Sequence, residues 1–188
     1  MRDIINSIRG EYQRYKLLAE AAIDQLTDAQ LSTDGGNGGN SIAVICWHVA
    51  GNLQSRFTDF LDSDGEKPWR EREEEFRRRT VDKAELREKW EKGWSILLGT
   101  LDKLTDADLA RTITIRQQPL RVDEALHRSL AHTSYHVGQI VYVAKSFRGK
   151  DWKYLSIAPG QSDTYAKSPT RDAASAHHAA LAKPSKHK

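Results

Sequence analysis

The sequence predicts an all-α protein, an antiparallel four-helix bundle with a small β-hairpin between helices three and four and a disordered C-terminal tail. Four stretches of 20 to 26 residues each place their large apolar side chains on one face at helical spacing. The 188 residues are enough to bury a single core. The lone cysteine, Cys46, leaves no disulfide framework that would replace such a core. Helices that each have one apolar face bury those faces by packing together as a bundle.

The first helix is predicted from about Arg2 to Leu26. A glycine-rich connection, DGGNGGNS at residues 34–41, follows it. This run lacks the lysine and the serine or threonine that complete a phosphate-binding loop, so we interpret it as a linker. Asn40 or Ser41 then supplies an N-cap for the second helix, which is expected to end near Leu61.

A charged crossing connects helices two and three over residues 62–80. Its segment from Arg70 to Arg79 holds five arginines and four glutamates. This near balance predicts a solvated, internally paired connection rather than a nucleic-acid patch. The third helix is predicted from about Asp82 to Leu104, with the most regular apolar stripe of the chain.

A short hairpin and a long helix complete the body of the protein. Residues 111–121 alternate threonine and isoleucine and are expected to form two strands that turn near Gln117 and Gln118. The fourth helix is predicted from about Val122 to Phe147, and Gly149 is expected to end it.

The last 23 residues form a basic tail, and we place the domain boundary between residues 165 and 166. Residues 166–188 carry five basic side chains against one aspartate. The body is therefore nearly neutral, although the whole chain has a net charge of +3 and a pI of about 8.9. This distribution argues against nucleic-acid binding. The tail is expected to be disordered or weakly helical, and its histidines are interpreted as solvated side chains rather than a metal site: His177, His178 and His187.

Two histidines of the fourth helix are the strongest indication of chemistry. His132 and His136 are four residues apart, so they share a helix face, and this face otherwise carries the apolar stripe. Two imidazoles at this spacing can both bind one metal ion. The alternative, two core histidines hydrogen-bonded to backbone or hydroxyl groups, stays open on spacing alone. Thr133 follows His132 where a zincin would require glutamate, so that motif is excluded.

A third metal ligand is expected from the second helix. His48 lies about 60° around the helix from the inward-facing Ile45. Cys46 faces nearly the opposite way and is interpreted as a small core residue, and His127 lies off the fourth-helix stripe and is expected to be exposed. By elimination, the set able to converge inside the bundle is His48, His132 and His136.

Three neutral imidazoles leave a coordination position open, which is the pattern of catalytic rather than structural metal sites. They suit Zn, Ni, Fe or Cu, and the spacing does not distinguish among these metals. The inward stripes of helices two and four carry no aspartate or glutamate beside the histidines, so no general base and no catalytic residue is identified. Tyr135 and Gln139 are candidates for groups around the metal ligands.

Two blocks of sequence resemble the DinB-like (YfiT-like) superfamily of metal-dependent proteins, in particular an uncharacterised bacterial branch of it. They are residues 40–76, with NSIAVICWHVAGN and SDGEKPWR, and residues 129–145, with AHTSYHVGQI. The resemblance extends over residues 1–165. It implies an antiparallel four-helix bundle, often dimeric, in which one histidine of the second helix and two of the fourth hold a divalent metal. The residues at those positions are His48, His132 and His136.

Characterised members of that superfamily include S-transferases and isomerases that use low-molecular-weight thiols such as bacillithiol or mycothiol. The resemblance therefore implies a metal-dependent transferase or hydrolase that acts with such a thiol and a small electrophilic substrate. It also implies a homodimer. The charge of the body and the lack of a long apolar stretch lead us to expect no nucleic-acid or membrane partner. The alternative is a non-catalytic, metal-containing binding or stress-response module. Because no stretch approaches the roughly 18 apolar residues of a membrane span and the N-terminus is too charged for a signal peptide, a cytoplasmic location is expected.

Overall fold

The structure, a computed structural model, describes residues 1–36 and 38–182. Within this part of the chain it is mostly helical, with one two-stranded antiparallel hairpin. In chain order the helices and strands are α1 (Asp3–Ile23), α2 (Asp28–Ser32), α3 (Ile42–Phe57), α4 (Arg72–Glu75), α5 (Lys83–Lys103), β1 (Thr112–Ile115), β2 (Gln118–Arg121), α6 (Val122–Arg148), α7 (Ser162–Ala166) and α8 (Ala174–Ala182). Short 3₁₀ turns at Asp106–Ala110 and Gly149–Asp151 follow α5 and α6.

The four long helices α1, α3, α5 and α6 form the predicted bundle, and all four meet at Tyr12. The Tyr12 ring of α1 contacts Phe57 of α3 and Trp94 of α5 edge-on, with ring centroids 6.4 and 6.2 Å apart. Its hydroxyl donates to the carbonyl oxygen of Leu126 in α6 at 3.2 Å. Each of these side chains is almost fully buried. The apolar faces seen in the sequence therefore share one core.

The helices form two parallel pairs, α3 with α5 and α1 with α6, and the two pairs run in opposite directions. In the second pair, Tyr12 lies beside Leu126 and Gln25 lies beside Lys153, further along the chain in both. Helices α3 and α5 run in the same direction, since Ala50 lies beside Gly93 and Phe57 lies beside Thr100 one to two turns later in both. Helices α1 and α5 run in opposite directions, as the ion pair between Arg9 and Asp102 near one end and that between Lys16 and Glu91 further along show. Helix α6 runs with α1. The connection from α3 to α5 must therefore return along the length of the bundle.

Capping side chains set the beginnings of the helices. Ser41 accepts a hydrogen bond from the Val44 N–H at the start of α3, and Asp82 accepts one from the Glu85 N–H at the start of α5. Helix α1 is capped from a distant part of the chain, because Asp106 accepts from the first N–H groups of that helix. Helix α3 ends at Phe57, earlier than expected, and Asp59 follows with a left-handed φ of 47°.

The hairpin turns one residue earlier than the sequence suggested. Arg116 and Gln117 hold the turn, both with positive φ, and the Asp64 carboxylate accepts hydrogen bonds from their two N–H groups at 2.8 and 2.7 Å. The strands pair with Ile113 opposite Leu120, and Ile113 is buried in the core. The crossing and the hairpin are thus joined at one end of the bundle.

Part of the basic tail is helical. Helix α8 packs against α1, where Ala174 comes close to Gly10. The imidazole of His177 is buried and donates from Nε2 to the Leu155 carbonyl oxygen at 3.1 Å, so it is a packed side chain and not a solvated one. His187 lies outside the described residues. The domain boundary at residue 165 stays a prediction.

None of the helices in the described part of the chain combines the length and the hydropathy that crossing a lipid bilayer requires.

Candidate metal centre

The three histidines expected to converge lie together between α3 and α6. His48 projects from α3, and His132 and His136 project from successive turns of α6. One ring nitrogen of each lies within 4.8 Å of the other two, so the cluster can hold a metal ion. His48 and His136 are buried, with 5% and 7% of their surface exposed, and His132 is partly buried. The antiparallel packing of α3 on α6 brings the two faces together.

Hydrogen bonds from the Nδ1 atoms of two of the histidines determine which ring nitrogens are left to bind a metal. The Nδ1 of His48 lies 2.9 Å from Oε2 of Glu75, and the Nδ1 of His136 lies 2.8 Å from Oε1 of Gln139. A carboxylate and an amide oxygen only accept, so both Nδ1 atoms carry the proton and donate it. A neutral ring with its proton on Nδ1 has its lone pair on Nε2, which is the arrangement found in metal-binding histidines.

Within the described residues, the Nε2 atoms of the cluster have few hydrogen-bond partners. The Nε2 atoms of His48 and His132 face each other at 3.2 Å. The Nε2 of His136 is buried and makes no hydrogen bond to any described residue. An unpartnered buried polar atom is costly, and a metal ion that accepted these lone pairs would satisfy it. The donor set therefore fits a divalent metal that prefers imidazole ligands.

Burial keeps His132 and His136 neutral. Burial, with smaller effects from the other two histidines and from Arg70 and Arg56, lowers the pKa of His132 to about 3. Burial also lowers the pKa of His136 to about 4, against the opposing effect of its bond to Gln139. Neutral imidazole is the form that binds metal ions.

The sequence analysis missed Glu75, the carboxylate that orients His48. Glu75 is 7% exposed and lies at the end of α4, in the crossing between α3 and α5. Arg70 holds it with two hydrogen bonds, Nε to Oε1 at 2.8 Å and Nη2 to Oε2 at 2.9 Å. Burial alone would raise the pKa of this carboxyl, but the hydrogen bonds from His48 and Arg70 bring it below its usual value. Glu75 is therefore ionised and accepts both bonds.

The prediction of a solvated crossing is wrong at these two residues. The side chain of Arg70 is only 2% exposed, because the crossing runs back along α3 and covers His48. The residue in the sequence that could have indicated a buried side chain beside α3 is Gly51. A Cβ on Gly51 would lie 2.2 Å from Oε1 of Glu75, so only glycine leaves room for the carboxylate. The charged crossing is internally paired, as predicted, but this pair is buried.

A cleft of about 450 Å³ opens over the histidines. The two candidates for groups around the ligands, Tyr135 and Gln139, both line it, and the ring of the exposed Tyr135 lies tilted against that of His136 with centroids 4.1 Å apart. Cys46 is fully buried, its pKa is raised by that burial, and it does not line the cleft. His127 is exposed, as expected.

The fold and the site define a helical-bundle protein with a three-histidine cluster that can hold a metal ion. The chain belongs to the family described as "Protein of unknown function (DUF1572)", which matches residues 1–161. A similar solved structure is that of the conserved protein of locus from Enterococcus faecalis, 20% identical, covering 80% of this chain and 99% of its own, with a TM-score of 0.58. That likeness concerns the fold. No curated protein matches the chain.

Proposed function

We propose that the protein binds one divalent transition metal through His48, His132 and His136 and that it is a metal-dependent enzyme of the DinB-like superfamily. The observation that carries the metal site is the direction of the three rings. Two of the Nδ1 atoms donate to Glu75 and Gln139. The Nε2 atoms are close together, and the buried Nε2 of His136 has no hydrogen-bond partner among the described residues. Core histidines would instead have both polar nitrogens satisfied.

The donor set favours Zn, Ni or Fe, since all three bind imidazole well. Three protein ligands leave at least one position for an outside ligand, and the cleft of about 450 Å³ gives that ligand access. A metal held here would act as a Lewis acid that lowers the pKa of a thiol or of water. The chain itself orients the ligands, with Arg70 fixing Glu75 and Glu75 fixing His48.

The proposed reaction acts on a small electrophile together with a low-molecular-weight thiol. In the transfer, the thiol sulfur bonds to the electrophile and displaces its leaving group; in the hydrolysis, water takes the place of the thiol as the attacking group. The resemblance to the DinB-like superfamily supports the thiol, and the size of the cleft supports a small substrate. The homodimer implied by the same resemblance belongs to this proposal and is tested by the molecular mass in solution.

A second candidate is a metal-containing module without catalytic activity. It is favoured by the absence of aspartate, glutamate and lysine from the cleft lining formed by the described residues, which leaves no side chain of these types as a general base. A metal-dependent turnover with a panel of thiols and electrophiles, lost in a folded His136→Ala variant, would exclude this candidate.

The metal site is tested by His132→Ala, with His127→Ala as the matched control on the exposed side of the same helix. We expect elemental analysis of purified protein to find one metal per chain in the wild type and in the control. We expect His132→Ala to contain almost none, because two ligands without the third bind far more weakly. Unchanged metal content in His132→Ala would refute the site.

A further inference from the structure

The cleft over the histidines is lined by five arginines, namely Arg56, Arg70, Arg72, Arg116 and Arg128. Among the described residues, no aspartate or glutamate lines it. The positive charge of the cleft is a local property. The basic tail, residues 166–188, accounts for more than the net charge of +3 of the whole chain, and the body is nearly neutral. Within the nearly neutral body, the cleft is therefore a locally positive region.

Neighbouring carboxylates neutralise these arginines only in part. Arg72 pairs with Glu73 at 2.9 Å, and Arg70 pairs with Glu75. Glu66 alone accepts from Arg56 at 3.1 Å and from Arg116 at 2.9 Å, and Arg70 lies 3.8 Å from its other oxygen. One carboxylate thus faces three guanidinium groups. Arg70 is already committed to Glu75 by two hydrogen bonds. The charge that remains lies at the mouth of the cleft, where Arg116 is 57% exposed.

Arg128 is a cleft arginine on the same helix as two of the histidines. It is exposed, and it makes no hydrogen bond or ion pair with the part of the chain that the structure describes. It precedes His132 by four residues on α6, so Arg128, His132 and His136 follow one another along one helix face. A side chain one turn from a ligand can contact a small molecule that reaches the histidines.

We infer that the cleft binds a small molecule with an oxyanion group, a carboxylate or a phosphate, held by Arg116 and Arg128 while its other end reaches the three histidines. Guanidinium groups bind both oxyanions through paired N–H donors. This inference rests on the proposed function and adds the charge of the substrate. The cleft volume of about 450 Å³ suits a small molecule.

The test compares two thiols of the same shape on zinc-loaded protein, 3-mercaptopropionate and its uncharged amide, 3-mercaptopropionamide. Isothermal titration calorimetry gives the dissociation constant of each. We expect the carboxylate to bind at least about tenfold more tightly, which is the effect of one hydrogen bond to a charged group. Raising the ionic strength should weaken the binding of the carboxylate and leave that of the amide unchanged.

The variants Arg116→Gln and Arg128→Gln should each reduce this preference by about threefold or more. The matched control is Arg111→Gln, another exposed arginine, which pairs with Asp108 outside the cleft. Inorganic phosphate added to the wild type distinguishes the two oxyanions. If phosphate displaces 3-mercaptopropionate, the arginines bind phosphate. If it does not, they bind carboxylate.

Two outcomes separate this inference from the proposed function. Zinc-loaded protein that contains one metal per chain but binds both thiols equally, or binds neither, would overturn the inference and leave the metal site standing. Protein that retains no zinc would overturn the proposed function. Loss of the preference in Arg111→Gln as strongly as in Arg128→Gln would also overturn the inference.

Discussion

At the scale of single residues, His48 differs from His136 in the group that holds its Nδ1–H. His136 donates to the neutral amide of Gln139, whereas His48 donates to the carboxylate of Glu75, which Arg70 keeps ionised. A negatively charged acceptor orients the imidazole ring and makes its Nε2 a better ligand. Glu75 is thus a positioning residue that acts on the metal through His48.

The variant Glu75→Gln should bind metal about 10- to 100-fold more weakly, as is typical when a group behind a ligating histidine is changed. Competition with a chromogenic chelator measures this affinity. Glu74→Gln is the matched control, because the Glu74 side chain is 44% exposed and pairs with Arg77 at the surface. Equal affinities in the two variants, with both still folded by circular dichroism, would show that Glu75 does not position His48.

At the scale of secondary structure, the packing of α5 on α3 depends on Gly93. A Cβ at this position would lie 2.8 Å from the Cα and 2.9 Å from the carbonyl oxygen of Ala50. Ala50 follows His48 by two residues on α3, so it lies on roughly the opposite face of that helix. The close packing of one face of α3 on α5 thus fixes the position of α3. The opposite face of α3 then presents His48 to α6.

The variant Gly93→Ala should lower the free energy of unfolding by about 1–3 kcal/mol, the usual effect of forcing an extra methyl group into a packed contact. Urea unfolding of the metal-free protein measures it. Gly99→Ala on the same helix is the matched control, since a Cβ there meets nothing within 4 Å. We expect that control to gain about 0.5–1 kcal/mol from better helix propensity. A Gly93→Ala variant as stable as Gly99→Ala would contradict the close packing of α3 on α5.

At the scale of the whole molecule, the buried histidines make the stability of the metal-free protein depend on pH. In the unfolded chain His132 and His136 titrate at about pH 6.5. In the folded protein their pKa values are about 3 for His132 and about 4 for His136. Between these values the unfolded chain binds more protons than the folded protein. The free energy of unfolding therefore falls as the pH is lowered below about 6.5.

Urea unfolding in the presence of a chelator, from pH 7.5 to pH 4.5, should show this decline. In the double variant His132→Gln, His136→Gln, the free energy of unfolding should fall less steeply with pH, because this variant lacks the two imidazoles. Carboxylates such as Glu75, whose pKa is lowered, contribute mainly below this range. Equal slopes for the two proteins would mean that the histidines are not desolvated by folding.

Local patterns in the sequence were sufficient for the long helices, the hairpin and the three histidines. Helical periodicity puts His132 and His136 on one face whatever surrounds them, and the apolar stripes make these faces pack inwards. The ends of elements were less well predicted. The early end of α3 depends on the left-handed Asp59, and the hairpin turn depends on Asp64 from a distant segment.

The sequence by itself therefore determined the helical bundle and the convergence of His48 with His132 and His136, because both follow from residue spacing along each helix. Only the tertiary structure decided which group supports His48. The crossing holds four glutamates between Arg70 and Arg79 without a periodic pattern, so nothing local distinguishes Glu75 from its neighbours. The parallel arrangement of α3 and α5 makes the crossing run back over α3, and Gly51 leaves space there for one carboxylate. Burial and the pairing with Arg70 then give Glu75 its role.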